Sequence, residues 1–368
     1  NDDIDYYAAR SYFRARKFMQ SVSSLSFDNI GNTHLQWETT KRFNVGLEAN
    51  FLGDRLNMRF NYFLANTDHL LTYQNLNYIS GLGENWSNGG SLRNQGFDLT
   101  LIGKVLATKD FQWELGASVG HYKNKITSLA AGRTSFDTNL YGATIHSEVG
   151  QAANLFYGYK TAGVFTTSEE AAEAGLYILG ENGVDRNYFG AGDMHFVDRD
   201  GDHQITEADR MVIGDPNPDL YGNIFTSLNY KRFRLDVNFN YSLGNDVYNY
   251  MRSQLEGGNR FLNQTTAMTT RWQTEGQVTT MPKATFQDPM GNSRFSDRWI
   301  EDGSYLRLKT VTLSYTLPLH STFPQGLQFW LQANNLFTVT TYPRSAPAFT
   351  TTGNVLGTGI DLSQLHQC

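Results

Sequence analysis

Apolar and polar residues alternate with a period of two in four paired stretches of the chain, and this constrains the fold more than any other feature of the sequence. From Phe43 onward the odd positions are Phe43, Val45, Leu47, Ala49 and Phe51, while the even ones are Asn44, Gly46, Glu48 and Asn50. After the turn Leu52-Gly53-Asp54-Arg55 the phase resumes as Leu56, Met58, Phe60, Tyr62 and Leu64 against Asn57, Arg59 and Asn61. Two such runs about a tight turn make a β-hairpin. The unit recurs as Phe97 to Val105 with Phe111 to Val119, as Ile224 to Tyr230 with Phe233 to Leu243, and as Val311 to Leu317 with Leu327 to Ala333. The pattern predicts eight strands in four hairpins.

Alternation alone does not say which face meets water, since a soluble barrel or sandwich alternates equally well. Connection lengths separate the cases. Turns inside hairpins cover 52–55, 106–110, 231–232 and 318–326, whereas the links between them cover 66–96, 122–220 and 244–304, with 338–368 as a last outer segment. Short turns opposite long loops are the habit of an outer-membrane barrel, and long structureless links are rare in compact soluble domains. The fold class predicted is therefore all-β, a transmembrane antiparallel up-and-down barrel of which about eight strands are present. Tyr62, Phe239 and Leu313 would face lipid and Asn61, Asn238 and Thr312 the lumen. Phe51, Phe111, Tyr230 and Phe233 would form an aromatic girdle beside the short turns. Composition agrees, with 14% aromatic residues, 34 Gly and only 18% charged residues. A net charge of −6 offers no basic field for nucleic acid. A single cysteine, Cys368, excludes intrachain disulfides.

Several landmarks resemble a known family. Leu35-Gln36-Trp37-Glu38-Thr39-Thr40 followed by Asn44-Val45-Gly46-Leu47-Glu48 is similar to a segment of the SusC/RagA family of TonB-dependent outer-membrane transporters. So are Phe156-Tyr157-Gly158-Tyr159-Lys160, Gly163-Val164-Phe165-Thr166-Thr167 and Ile213-Gly214-Asp215-Pro216-Asn217-Pro218. The closest likeness is Ile300-Glu301-Asp302-Gly303-Ser304-Tyr305-Leu306-Arg307-Leu308-Lys309, with Asn334-Asn335-Leu336-Phe337-Thr338 behind it. The resemblance implies a 22-stranded barrel with an N-terminal plug. It also implies a SusD-like surface lipoprotein as lid and import of oligosaccharides or peptides energised by TonB. No TonB box or plug stands in these 368 residues, which would correspond to the C-terminal part of such a barrel.

One loop has the spacing of a cation site. Asp198, Asp200, Asp202 and Asp209 occupy positions 1, 3, 5 and 12 of a twelve-residue segment, with the Gln204 carbonyl at position 7 and Ile205 as an apolar anchor at position 8. Calcium takes oxygens at this spacing. His203 stands where glycine is usual, and Asp209 is shorter than the usual glutamate, so a solvated acidic loop is the alternative. Trp86, Tyr157, Tyr159 and Trp272 are candidates to stack on cargo or meet the lid, against the alternative that each packs its own loop. Glu301 and Asp302, as neighbours entering a strand, point to opposite sides and cannot face each other across a glycoside. The His residues show no metal-site spacing, and Thr167 to Ala174 reads as a capped surface helix.

A second reading keeps the eight strands but closes them as an OmpA-type surface barrel with adhesive loops. The two differ in whether strand Phe43 to Phe51 pairs with the strand beginning at Leu327. The transporter reading requires both edges to be completed by further polypeptide, because unpaired strand edges are not tolerated in hydrocarbon.

Overall fold

The computed structural model describes residues 9–18, 22–29, 31–75, 84–318, 326–343 and 358–361. Eight strands form one sheet, in the spatial order Gly326–Thr340, Tyr305–Pro318, Phe233–Leu243, Leu220–Tyr230, Phe111–Leu129, Gly90–Ala107, Leu56–Asp68, Thr39–Phe51. Each strand lies beside its neighbour in the chain, as the hairpin pattern predicts. The sheet is open among the described residues: Thr39–Phe51 and Gly326–Thr340 are its edges and do not pair with each other. The closed eight-stranded alternative is thereby overturned. Among the described residues no helix is long and apolar enough to cross a membrane.

The chain divides into two compact units. The first comprises Asn1–Ile102, Ser118–Phe136 and Ser147–Ala153. Its hairpin pairs every residue from Thr39↔Asp68 to Phe51↔Leu56. The turn between the strands is tight because Leu52, Gly53 and Asp54 all take positive φ. One face carries Phe43, Val45, Leu47 and Phe51 opposite Leu64, Tyr62, Phe60 and Leu56, and Phe43 is 60% exposed. An apolar row of this length left bare to water would be an aggregation liability, so its solvent is lipid. The other face carries Glu48 opposite Arg59 and Asn50 opposite Asn57. Phe63 stands in this polar row, where Gly96 of the neighbouring strand makes room: a Cβ there would strike the His121 carbonyl and the Phe63 ring.

The strands run further than their apolar pattern, so the expected links shorten from 66–96 to 69–89 and from 122–220 to 130–219. Thr39, Thr40, Lys41 and Arg42 pair with Asp68, Thr67, Asn66 and Ala65, an extension too polar on both faces to show a period. Two further hairpins, Tyr12–Phe18 with Val22–Asn29 and Leu71–Asn75 with Glu84–Asn88, also escape the sequence pattern.

The second unit comprises Gly103–Ala117, Asp137–His146 and Asn154–Cys368. Its wall strands pair Ile224 with Phe239, Leu235 with Leu313 and Tyr315 with Phe329. Phe233 and Tyr315 lie 4.8 Å apart near the short turn, and Phe111 and Tyr230 6.5 Å apart. In the polar row Phe225 covers Gly116, where a Cβ would overlap the ring. The register breaks at Lys309. Asn238 pairs with Thr310 but Phe239 with Leu308, leaving Lys309 as the inserted residue of a β-bulge. On the other side Lys309 faces both Asn335, at φ 53°, and Leu336. Leu306 and Leu308 before the bulge thus share a face with Val311, Leu313 and Tyr315 after it.

The links of this unit are folded rather than structureless. One core holds Phe165, Phe189, Met194, Phe196 and Ile205, and a second holds Ala143, Ile145, Phe156, Tyr248, Trp299 and Ile360. The short helix Ser168–Ala174 forms where expected, with Thr167 as its N-cap accepting from the Glu170 amide and Gly175 closing it at φ 61°.

Candidate functional site

The acidic loop folds around its own carboxylates. Asp198 accepts from the Gly201 and His203 amides, each at 2.8 Å, and Asp202 accepts from the Gln204 amide at 2.7 Å. His203 sits at φ 63°, the left-handed turn that this position of the loop requires. Ile205 is buried in the first core, and its amide donates to the Tyr177 carbonyl at 2.9 Å while the Tyr177 amide donates to His203 O at 2.9 Å. This bridge leaves the Gln204 amide and carbonyl on the loop's inner side. One carboxylate oxygen each from Asp198, Asp200 and Asp202 lies within 4.8 Å of the others. Calcium ligands sit about 2.3–2.6 Å from the ion, so any two are at most about 5 Å apart, and the three fit one ion.

Asp209, the expected fourth carboxylate, stands outside that group. It is fully buried, with Oδ1 accepting from the Arg199 amide and Oδ2 from the Thr206 amide, the second bond being half of a capping box that opens the turn Glu207–Asp209. Its short side chain is committed to holding the loop's two ends together. Desolvation, and then the charges of Asp202, Asp209 and Asp198, push the Asp200 carboxyl above its ordinary range. Burial pushes Asp198 the same way, but the His203 and Gly201 amides outweigh it and hold that carboxyl below its ordinary range. The surrounding segment 130–219 has fifteen Asp and Glu against five Lys and Arg, so little nearby charge relieves the repulsion.

The loop aromatics divide. Tyr159 is only 8% exposed and belongs to the first core, edge-on to Phe196 with the Arg294 guanidinium 5.0 Å from its ring. Trp272 packs against the same core, its indole N–H donating to Thr166 O. Both rings pack within the links. Tyr157 is half-buried and stacks on His146 at 4.4 Å. Trp86 lies on Glu84–Asn88 opposite Tyr73, and its side chain is outside the described residues.

Glu301 and Asp302 do point apart. Glu301 accepts from Arg252 at 2.9 Å and from Asn249 at 3.2 Å, whereas Asp302 accepts from the Ser304 amide and the Thr341 hydroxyl. Both carboxylates serve the links' own architecture. The polar face of the wall carries charge in pairs, with Arg59 donating to Glu48 at 3.0 Å and Arg234 to Asp236 at 2.8 Å. Exposed pairs of this kind contribute little stability, and their effect is a wetted surface.

The chain is similar to known proteins. A family model described as "TonB dependent receptor-like, beta-barrel" matches residues 2–210. TonB-dependent receptor P3 of Formosa agariphila is 30% identical over 336 residues, which cover 89% of this chain and 32% of that protein. TonB-dependent receptor SusC of Bacteroides thetaiotaomicron is 27% identical over 336 residues, covering 86% and 30%. The solved structure of the RagAB peptide transporter matches with a TM-score of 0.75 and 25% identity over 98% of this chain and 38% of that one. This chain therefore spans about a third of the length of its relatives. Open antiparallel wall, apolar outer row, folded links and these likenesses agree: the chain belongs to the outer-membrane TonB-dependent receptor β-barrel family and is SusC- and RagA-like.

Proposed function

We propose that this chain supplies part of the wall and the outer links of a nutrient importer that takes oligosaccharides or peptides across the outer membrane. A SusD-like lipoprotein covers its outer end, and TonB supplies energy through a plug encoded elsewhere in the full-length protein. The observation that carries this reading is the match to the RagAB transporter over 98% of the chain, links included. A match confined to the strands would speak for barrel architecture alone. The polar wall face, with its paired charges, suits a wet passage, and we read Glu301 and Asp302 as structural carboxylates, bonded to Arg252 and Asn249 and to Ser304 and Thr341 respectively. We further propose that Asp198, Asp200, Asp202 and the Gln204 carbonyl hold a structural calcium ion that offsets the repulsion among the three carboxylates.

Uptake by cells producing the full-length protein tests the transport reading. Accumulation of labelled oligosaccharides or oligopeptides should collapse when TonB is deleted, and the labelled class that accumulates identifies the cargo. Uptake indifferent to TonB would refute energised import. Failure of any lipoprotein to co-purify after mild solubilisation would remove the lid from the proposal.

A further inference from the structure

Three of the motifs that carry the family likeness, Phe156-Tyr157-Gly158, Ile213-Gly214-Asp215-Pro216 and Ile300-Glu301-Asp302-Gly303, converge on one tripeptide, Gly359-Ile360-Asp361. Ile360 is wholly buried in the core of Phe156, Tyr248 and Trp299, with Ile213 and Ile300 packed against it. Gly359, at φ 78°, threads a gap in which a Cβ would lie 2.7 Å from the Pro216 side chain, 3.1 Å from Asp246 O and 3.2 Å from the Phe156 ring. Its carbonyl accepts from the Tyr248 amide at 2.8 Å. Ile360–Asp361 then runs parallel to Asp246–Asn249, whose other side pairs antiparallel with Ile300–Asp302. Asp361 is 1% exposed and accepts from the Tyr342 hydroxyl, just beyond the wall strand Gly326–Thr340.

A two-residue parallel pairing has little strength of its own. The fit depends on the side chain: without Ile360 this core has an apolar hole the size of isoleucine, and if the tripeptide leaves its seat the Tyr248 amide also loses the Gly359 carbonyl. All the other residues of that core precede the wall strand, whereas Ile360 follows it. We propose that Gly359-Ile360-Asp361 is a latch. Its seating completes the core shared by segments 137–158 and 246–302 and fastens the chain that leaves the wall at Thr340 to them, fixing those segments in one arrangement. This inference stands on packing alone and is independent of the cargo or its energy source.

Hydrogen exchange read by mass spectrometry on the full-length barrel in lipid nanodiscs tests it. Ile360→Asp should speed exchange at least tenfold in 143–146, 155–158, 246–249 and 299–302 while leaving 220–243 as protected as before. If that variant does not accumulate, Ile360→Ala and Tyr342→Phe take its place and must give the same local pattern. Unchanged exchange in the four segments, or a loss shared equally by the wall strands, would overturn the latch.

Discussion

Phe239 is the position where the lipid-facing assignment can be measured most cleanly. It is six residues from Phe233, which sits at the short-turn end of its strand beside Tyr315. At about 3.3 Å per residue and a strand tilt of about 40°, six residues rise about 15 Å along the membrane normal. The apolar band of such barrels is about 25 Å tall, so Phe239 stands about 3 Å from its middle. A lysine at the midplane costs about 2–4 kcal/mol. Losing the edge-on contact with Phe337, at 6.3 Å, removes about 0.5–1.5 kcal/mol more. Phe239→Lys should therefore destabilise the barrel by about 3–5 kcal/mol. Asn238→Lys, one residue earlier and on the polar row, should cost under about 1 kcal/mol because its ammonium remains in water. Reversible urea unfolding of the full-length barrel in lipid vesicles, followed by tryptophan fluorescence, gives both numbers. The reasoning fails if Asn238→Lys costs as much as Phe239→Lys, since the period of two would then have the strand facing the other way.

Other expectations follow from single contacts. Burial pushes the Tyr248 hydroxyl up to about 12, so the neutral form is favoured on folding; the second core should hold below pH 10 and loosen as pH rises from about 10 to 12, and Tyr248→Phe should remove that dependence in near-ultraviolet circular dichroism. Titration calorimetry should detect calcium uptake by the full-length protein, and Asp198→Asn with Asp202→Asn should abolish it; no heat from the unaltered protein would end the calcium proposal. The three atoms nearest to a Cβ at Gly116 all belong to the Phe225 ring, so the cost of Gly116→Ala, about 1–3 kcal/mol, should be largely recovered by adding Phe225→Leu. Gly96→Ala also meets the His121 backbone carbonyl, so adding Phe63→Leu should not rescue it in the same unfolding assay.

Where one face is apolar and the other polar, the strands were legible: residues 43–51, 56–64, 224–230 and 233–243 pair in the register that their alternation implies. Legibility stopped where both faces turn polar, as at Thr39 to Arg42, because a hydrophobic period cannot show in a stretch without hydrophobes. Ile205 could be read as the loop's apolar anchor, but Tyr159 could not be recognised as core, since its neighbours Phe196 and Arg294 are 37 and 135 residues away. Asp209 illustrates the same limit at the candidate cation loop. Spacing puts a carboxylate at the twelfth position, and only three-dimensional placement shows that its oxygens are already taken by the Arg199 and Thr206 amides. The bulge does leave a mark in the sequence. The apolar residues Leu306 and Leu308 have even numbers, while Val311, Leu313, Tyr315 and Leu317 have odd ones, and the change falls at the bulge.

That bulge gives its strand a rule for changes of length. In an unbroken strand, adding or deleting one residue reverses every side chain beyond the change, so viable changes come in twos. Lys309 is an odd extra residue already absorbed, and it divides Tyr305–Pro318 into two segments of opposite parity. A one-residue deletion on either side can be cancelled by a one-residue insertion at the bulge, and a one-residue insertion by loss of Lys309. Single-residue gains and losses in this strand should therefore be tolerated only as compensated pairs that include position 309, whereas Phe233–Leu243, paired without a break to Leu220–Tyr230, has no such site at which to restore its parity.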